Sequence, residues 1–151
     1  MSVTIAPATE ACQALVDHIN AGTTYSLDRL ATYSRVEVSP LDEVDGLQID
    51  VVSVDEVQLN ETLAIEDRTS HRIAIWIRSK LRDLLPETLD GMSLLVRQIF
   101  QRVNDFDSDD LRVRVWAVDE ETNTTPNKEA LHQMGVYAAV IVLRVIVSDS
   151  A

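Results

Sequence analysis

Between His71 and Leu81 the chain reads HRIAIWIRSKL, with Ile73, Ile75 and Ile77 at every second position and Arg72, Trp76 and Arg78 between and beside them. Successive side chains of an extended chain point to opposite faces of a sheet. A period of two therefore predicts a strand with an isoleucine side on the core and a tryptophan-arginine side turned away. LRVRVWAV repeats the arrangement, with Leu111, Val113 and Val115 inward and Arg112, Arg114 and Trp116 outward.

Elsewhere the period lengthens. Ala8, Cys12, Leu15, Val16 and Ile19 recur at helical spacing after Pro7 and before Gly22, which predicts an amphipathic helix over about 8–21. Leu89, Met92, Val96, Ile99 and Val103 predict a second, over about 88–104. ATYSRVEVSP and LQIDVVSV read as strands over about 32–38 and 47–54 that pair as a hairpin across LDEVDG. The HRIAIWIRSKL strand covers about 70–79, and two more cover about 111–118 and 136–147. No clear period runs through 55–70, which reads as an extended loop or an irregular arm with no firm assignment. The 119–134 connection is longer than most within a domain, and in it Asn127 is placed to cap a short helix over KEALHQM. Two main helices among several strands predict an α+β fold, a single domain over 1–151 in which one mainly antiparallel sheet carries both helices on one face.

Composition sharpens this. Apolar residues make up 46% and charged residues 25%, globular proportions. Acidic side chains number 25 against 13 basic ones, a formal charge of −12, which repels nucleic-acid phosphate and argues against sequence-specific DNA or RNA binding. Cys12 is the one cysteine, so neither an intrachain disulfide nor a cysteine zinc cage can form. The first residues lack a basic start followed by an apolar block, and the longest apolar run, GVYAAVIVLRVIV, is interrupted by Arg144. The expectation is a soluble, intracellular protein with no membrane segment.

Chemistry is sparse. No nucleophile elbow or glycine-rich phosphate loop occurs, and His18, His71 and His132 sit in unrelated contexts, so no catalytic residue, cofactor site or metal site is assigned. Asp105, Asp107 and Asp109 alternate like the opening of a calcium loop, but Asp110 and Trp116 stand where that loop needs glycine and glutamate. A solvated acidic turn is the better reading. What remains is the face bearing Arg72, Trp76, Arg78, Arg112, Arg114 and Trp116. The two tryptophans could cover each other under arginine stems, a helix or arm of the same chain could bury them, or another protein could. Arg and Trp are enriched in interface hot spots. Five arginines, counting Arg144, on outward strand positions of so acidic a chain favour contact with the acidic surface of a second copy.

The run from YSRVEVSP through EDRTSHRIAIWIRSKL and LDGMSLLVRQIFQRVN to GVYAAVIVLRVIV resembles the tail-terminator, or tail-completion, proteins of long-tailed bacteriophages. Arg68 matches an arginine shortly upstream of an Ile-x-Ile-x-Ile strand, and Asp90, Met92 and Leu95 match the opening of the helix that follows. The resemblance spans roughly residues 10–147 and departs in the 40–66 region and in the outward tryptophans. It implies a non-enzymatic virion protein without cofactor. Its copies would close into a sixfold ring that caps the tail tube and docks it to the neck or connector, assembling in the host cytoplasm. DNA would pass through the channel without sequence-specific binding. A head-tail connector, a minor tail subunit, or a ligand-binding regulator on a similar sheet are the alternatives, and an enzyme would need distant His, Asp and Arg residues to converge. On the assembly reading, Arg112 and Arg114 are expected ring contacts.

Overall fold

The computed structural model describes residues 5–23, 25–27, 30–34, 40–58, 68–110 and 112–148. In chain order the elements are α1 (Pro7–Ala21), β1 (Ala31–Ser34), a single 3₁₀ turn (Leu41–Glu43), β2 (Leu47–Gln58), β3 (Arg68–Lys80), α2 (Pro86–Val103), β4 (Val113–Val118), α3 (Lys128–Met134) and β5 (Val136–Ser148). They form an α+β fold around a five-stranded sheet of order β1-β2-β3-β5-β4.

The alternation read from the sequence is the one the sheet uses. Ile73, Ile75 and Ile77 of β3 are fully buried, flanked by Ile49 and Val51 of β2 and by Ile141, Leu143 and Val145 of β5. Against this face pack Ala11, Cys12, Leu15 and Ile19 of α1 and Met92, Leu95, Val96, Ile99 and Val103 of α2. Burying each of the larger side chains is worth about 1.5–3 kcal/mol before ordering entropy is subtracted. Polar ties fix the layers: Ser93 Oγ of α2 lies 2.9 Å from the Tyr137 hydroxyl of β5. Arg102 Nε donates to the His18 carbonyl at 3.0 Å, and the His18 ring meets the Arg102 carbonyl at 2.9 Å, which pins α1 to α2.

Three expectations change. β1 and β2 do not make a hairpin; they pair in parallel, Ala31 opposite Ile49 through Ser34 opposite Val52. The connection over 35–46 is long enough for the crossover that a parallel pair needs, and β2 takes β3 as its antiparallel partner instead. Of the strand expected at 32–38, residues 35–38 lie outside the described residues. The arm expected at 55–70 is strand at both ends, since β2 continues to Gln58 and β3 begins at Arg68; residues 59–67 lie outside the described residues. Polar residues at 55, 56, 58 and 68–70 hid the period, and a bulge between Ser53 and Asp55 breaks the alternation. β4 starts at Val113, and Leu111 is likewise outside the described residues.

The long connection before β5 is ordered by that strand. Asp119 N donates to Val142 O at 2.8 Å, Asn123 exchanges two backbone bonds with Val140, and Asn127 N reaches Ala138 O at 3.1 Å. The loop thus carries on along the β5 edge where β4 stops. It ends in α3, capped as expected by Asn127, whose side chain accepts from Ala130 N at 2.9 Å. Gly135 closes that helix at φ 67°, a left-handed conformation that glycine adopts without steric cost.

Candidate functional site: the outward face of the sheet

The face turned away from α1 and α2 is read directly from the register. Asp50, Trp76 and Val140 form one row across β2, β3 and β5; Val52, Ala74 and Val142 form the next. Asp55, Arg72 and Arg144 form a third, which Ala117 of β4 completes. Arg72 and Arg144 therefore stand side by side, an arrangement that destabilises a sheet unless carboxylates intervene.

Carboxylates do intervene. Arg72 Nε donates to Asp55 Oδ2 at 2.8 Å and Nη1 to Glu121 Oε1 at 2.7 Å, while Arg144 Nε donates to Asp119 Oδ2 at 2.9 Å. Asp119 is buried and also accepts from the Glu121 amide at 3.0 Å. That amide, and then the Arg144 guanidinium, hold its carboxyl below the usual aspartate value. The Arg72 hydrogen bond does the same for Asp55, and Arg72 itself is shifted upward by Asp55 and Glu121. The result is a ladder of opposite charges that fastens the 119–121 turn to β2, β3 and β5.

Arg78 keeps its expected face but is buried there, and Arg112 leaves the face altogether. Arg78 is on the outward face but only 2% exposed, with Nη2 at 3.3 Å from Asp50 Oδ2 and 3.5 Å from Gln48 Oε1. Arg112 precedes β4 and turns to the helix side, where its guanidinium forks onto both oxygens of Glu10 on α1 at 3.0 and 3.1 Å. Four of the five arginines thus meet acidic groups of their own chain. The charge argument for a second copy narrows to Arg114, which is exposed and has no ion-pair partner among the described residues.

The tryptophans do not cover each other. Trp76 is level with Val140 on β5, whereas Trp116 occupies the bulge between Val115 and Ala117, level with Arg144 and two strands over from β3. Along β5 alone that offset is roughly 13 Å at the usual rise per residue. Trp116 is 49% exposed, with the Arg144 guanidinium 5.7 Å from its ring centroid, within cation–π reach. Trp76 is half-buried and lines a cleft of about 510 Å³. Val140 and Ala138 share its floor with Trp76, Pro40 and Leu41 form one wall, and Asn123 and Thr125 of the long loop stand in the other.

The remaining candidates sit elsewhere. His18 contacts Phe106 and α2, His132 is exposed on α3, and His71 is fully buried on the core face; the three do not converge. Burial pushes the Cys12 thiol up to about 12, the opposite of an activated nucleophile. In the acidic turn, Asp110 accepts from Ser108 Oγ at 2.7 Å and Arg112 N at 3.1 Å, and among the described residues no group of His, Cys, Asp or Glu is placed to hold a metal. No helix among them is long and apolar enough to cross a membrane. Asp119, Glu121 and the Pro40–Leu41 wall are the site residues that pattern reading missed. The adjacent arginines needed counter-ions, and the acidic DEE directly after β4 was the available signal.

No protein-family model matches this chain, and no curated protein matches it in sequence.

Proposed function

We propose that this chain is a structural subunit of a virion, a tail-terminator-like protein. Its copies close into a sixfold ring, in the manner of the family it resembles, that caps a tail tube and presents a second surface to the neck. The observation that carries this reading is Trp116: an indole half in solvent, steadied by Arg144 and next to an exposed Arg114, which stands opposite Asp107 but makes no ion pair among the described residues. Trp and Arg together are the residues that dominate protein interfaces. The helix-first α+β order and the long closing strand β5 are what the resemblance implies. A charge of −12 suits a channel that lets DNA through without holding it.

The test is electron microscopy of the purified protein mixed with tail tubes. Rings seated at one tube end, and tubes that stop lengthening, are the expected result. Bare ends and unchanged growth overturn the proposal. The cleft beside Trp76 favours a second reading, a binding module for a small apolar ligand. That reading requires a ligand that raises the melting temperature in proportion to its concentration.

A further inference from the structure

The ion-pair ladder leaves two features of the outward face uncovered, and they are complementary. One is a projection, Trp116 with Arg114 beside it on the edge strand β4. The other is a hole, the cleft over Trp76 between the Pro40–Leu41 wall and the 121–127 loop. Exposed Asp42 and Glu43 continue from the first wall, and exposed Glu120 and Glu121 flank the second. Among the described residues Lys128 adjoins the lining, Arg78 belongs to it but is buried against Asp50, and Arg72 reaches it through its pair with Glu121. The acidic surplus of the rim therefore comes from Asp42, Glu43 and Glu120, since Glu121 is already paired with Arg72, and the floor is Trp76 with Ala138, Ala139 and Val140.

We infer that the occupant of this cleft is Trp116 of a second copy of the chain, with that copy's Arg114 drawn to the acidic rim. The inference rests on the ring reading and names its contact. A cleft of about 510 Å³ accommodates an indole with neighbouring atoms, and Trp76 offers it an aromatic partner. Among the described residues, Arg114 is the exposed cation two positions from an exposed indole. The hole is also built before any partner arrives: the Asn123–Val140 pair, the Asn127–Ala138 bond and the Asp119–Arg144 bridge hold its loop wall on the sheet. A preformed site loses little entropy on docking. Projection and hole are different surfaces, which is what a head-to-tail ring requires.

The experiment uses three full-length proteins: the wild type, Trp116→Ala, which lacks the projection, and Thr125→Trp, which fills the hole from an exposed loop position. Circular dichroism and melting temperature establish that each is folded. Association is measured by sedimentation velocity over a rising concentration series. The expected result is that the wild type forms oligomers and each variant requires at least tenfold higher concentration to do so. An equimolar mixture of the two variants should stop at a one-to-one pair, because it contains one intact projection and one intact hole. A wild type that assembles while both variants assemble equally well overturns this contact and leaves the ring reading standing. A wild type that stays monomeric throughout also overturns the contact, and the tube-end experiment then judges the ring reading separately.

Discussion

Burial of His71 should make the fold sensitive to mild acid. Its ring is fully buried on the core face of β3, with Nε2 2.8 Å from Thr69 Oγ1. Nδ1 has no hydrogen-bond partner among the described residues, and the nearest carboxylate, Glu56 Oε1, is 3.6 Å away on a side chain 49% exposed. A bare lone pair is cheaper to bury than a bare N–H, so the neutral tautomer with Nε2–H donating to Thr69 is the one the site favours. Burial lowers the His71 pKa from its usual 6.5, a shift that Glu56 and then Asp55 oppose in part. The sign follows: below 6.5 the unfolded chain binds a proton that the folded chain refuses, so stability is complete above that pH and falls as the pH drops through it, until the lowered folded-state value is passed. The slope for one histidine is at most about 1.4 kcal/mol per pH unit, reached only once the unfolded histidine is fully protonated. Asp55 and Asp119 do not confuse this window, because their values are lowered from 3.8 and their contributions disappear only in stronger acid. His18 is also lowered by burial and adds in the same direction, so it needs its own control. Urea unfolding at several pH values, for the wild type, His71→Leu and His18→Gln, measures the slopes. His71→Leu should flatten the dependence between pH 6.5 and 5, and Glu56→Gln should extend it to lower pH. An unchanged slope in His71→Leu would refute the burial argument whatever that variant's absolute stability.

Two further outcomes follow from the loop and its helix. Asn127→Ala removes the α3 cap and Gly135→Ala forces a side chain to φ 67°, so each should cost about 1 kcal/mol, read from urea midpoints. Asp119→Asn weakens the hold on Arg144, and amide exchange at Asn123 and Val140 should accelerate while exchange at Ile75 and Ile77 in the sheet centre stays slow.

How far the sequence could be read depended on whether an element's pattern came from one packing surface. Ile73, Ile75 and Ile77 face the helices as their spacing demands, and Met92, Val96, Ile99 and Val103 line one side of α2 because a single sheet face buries them. The ends of β2 and β3 were illegible, since Glu56 and His71 sit at core-face positions and a bulge shifts the register. The outward face was legible in its membership and not in its partners. Trp116 is exposed, but Arg112 lies next to the strand instead of in it and turns toward Glu10, a contact between residues 102 positions apart that no local period reveals. Arg78 shows the same limit: alternation places it outward, and burial there depends on Asp50 across the strand pair.

The arginines and the surplus of carboxylates are two halves of one device. Arg72 and Arg144 face each other in register and would repel, and it is Asp55, Glu121 and Asp119 that make the pairing tolerable. Two of those three carboxylates belong to the turn after β4, so neutralising the sheet and fastening the loop are the same event. The fastened loop is in turn a wall of the cleft over Trp76. Removing the charges would therefore cost shape before it cost stability: the sheet would survive on its isoleucine core, and the hole would widen. On the proposed docking, that loss of shape is what would weaken assembly, so Asp119→Asn and Glu121→Gln should raise the concentration needed for association as Trp116→Ala does.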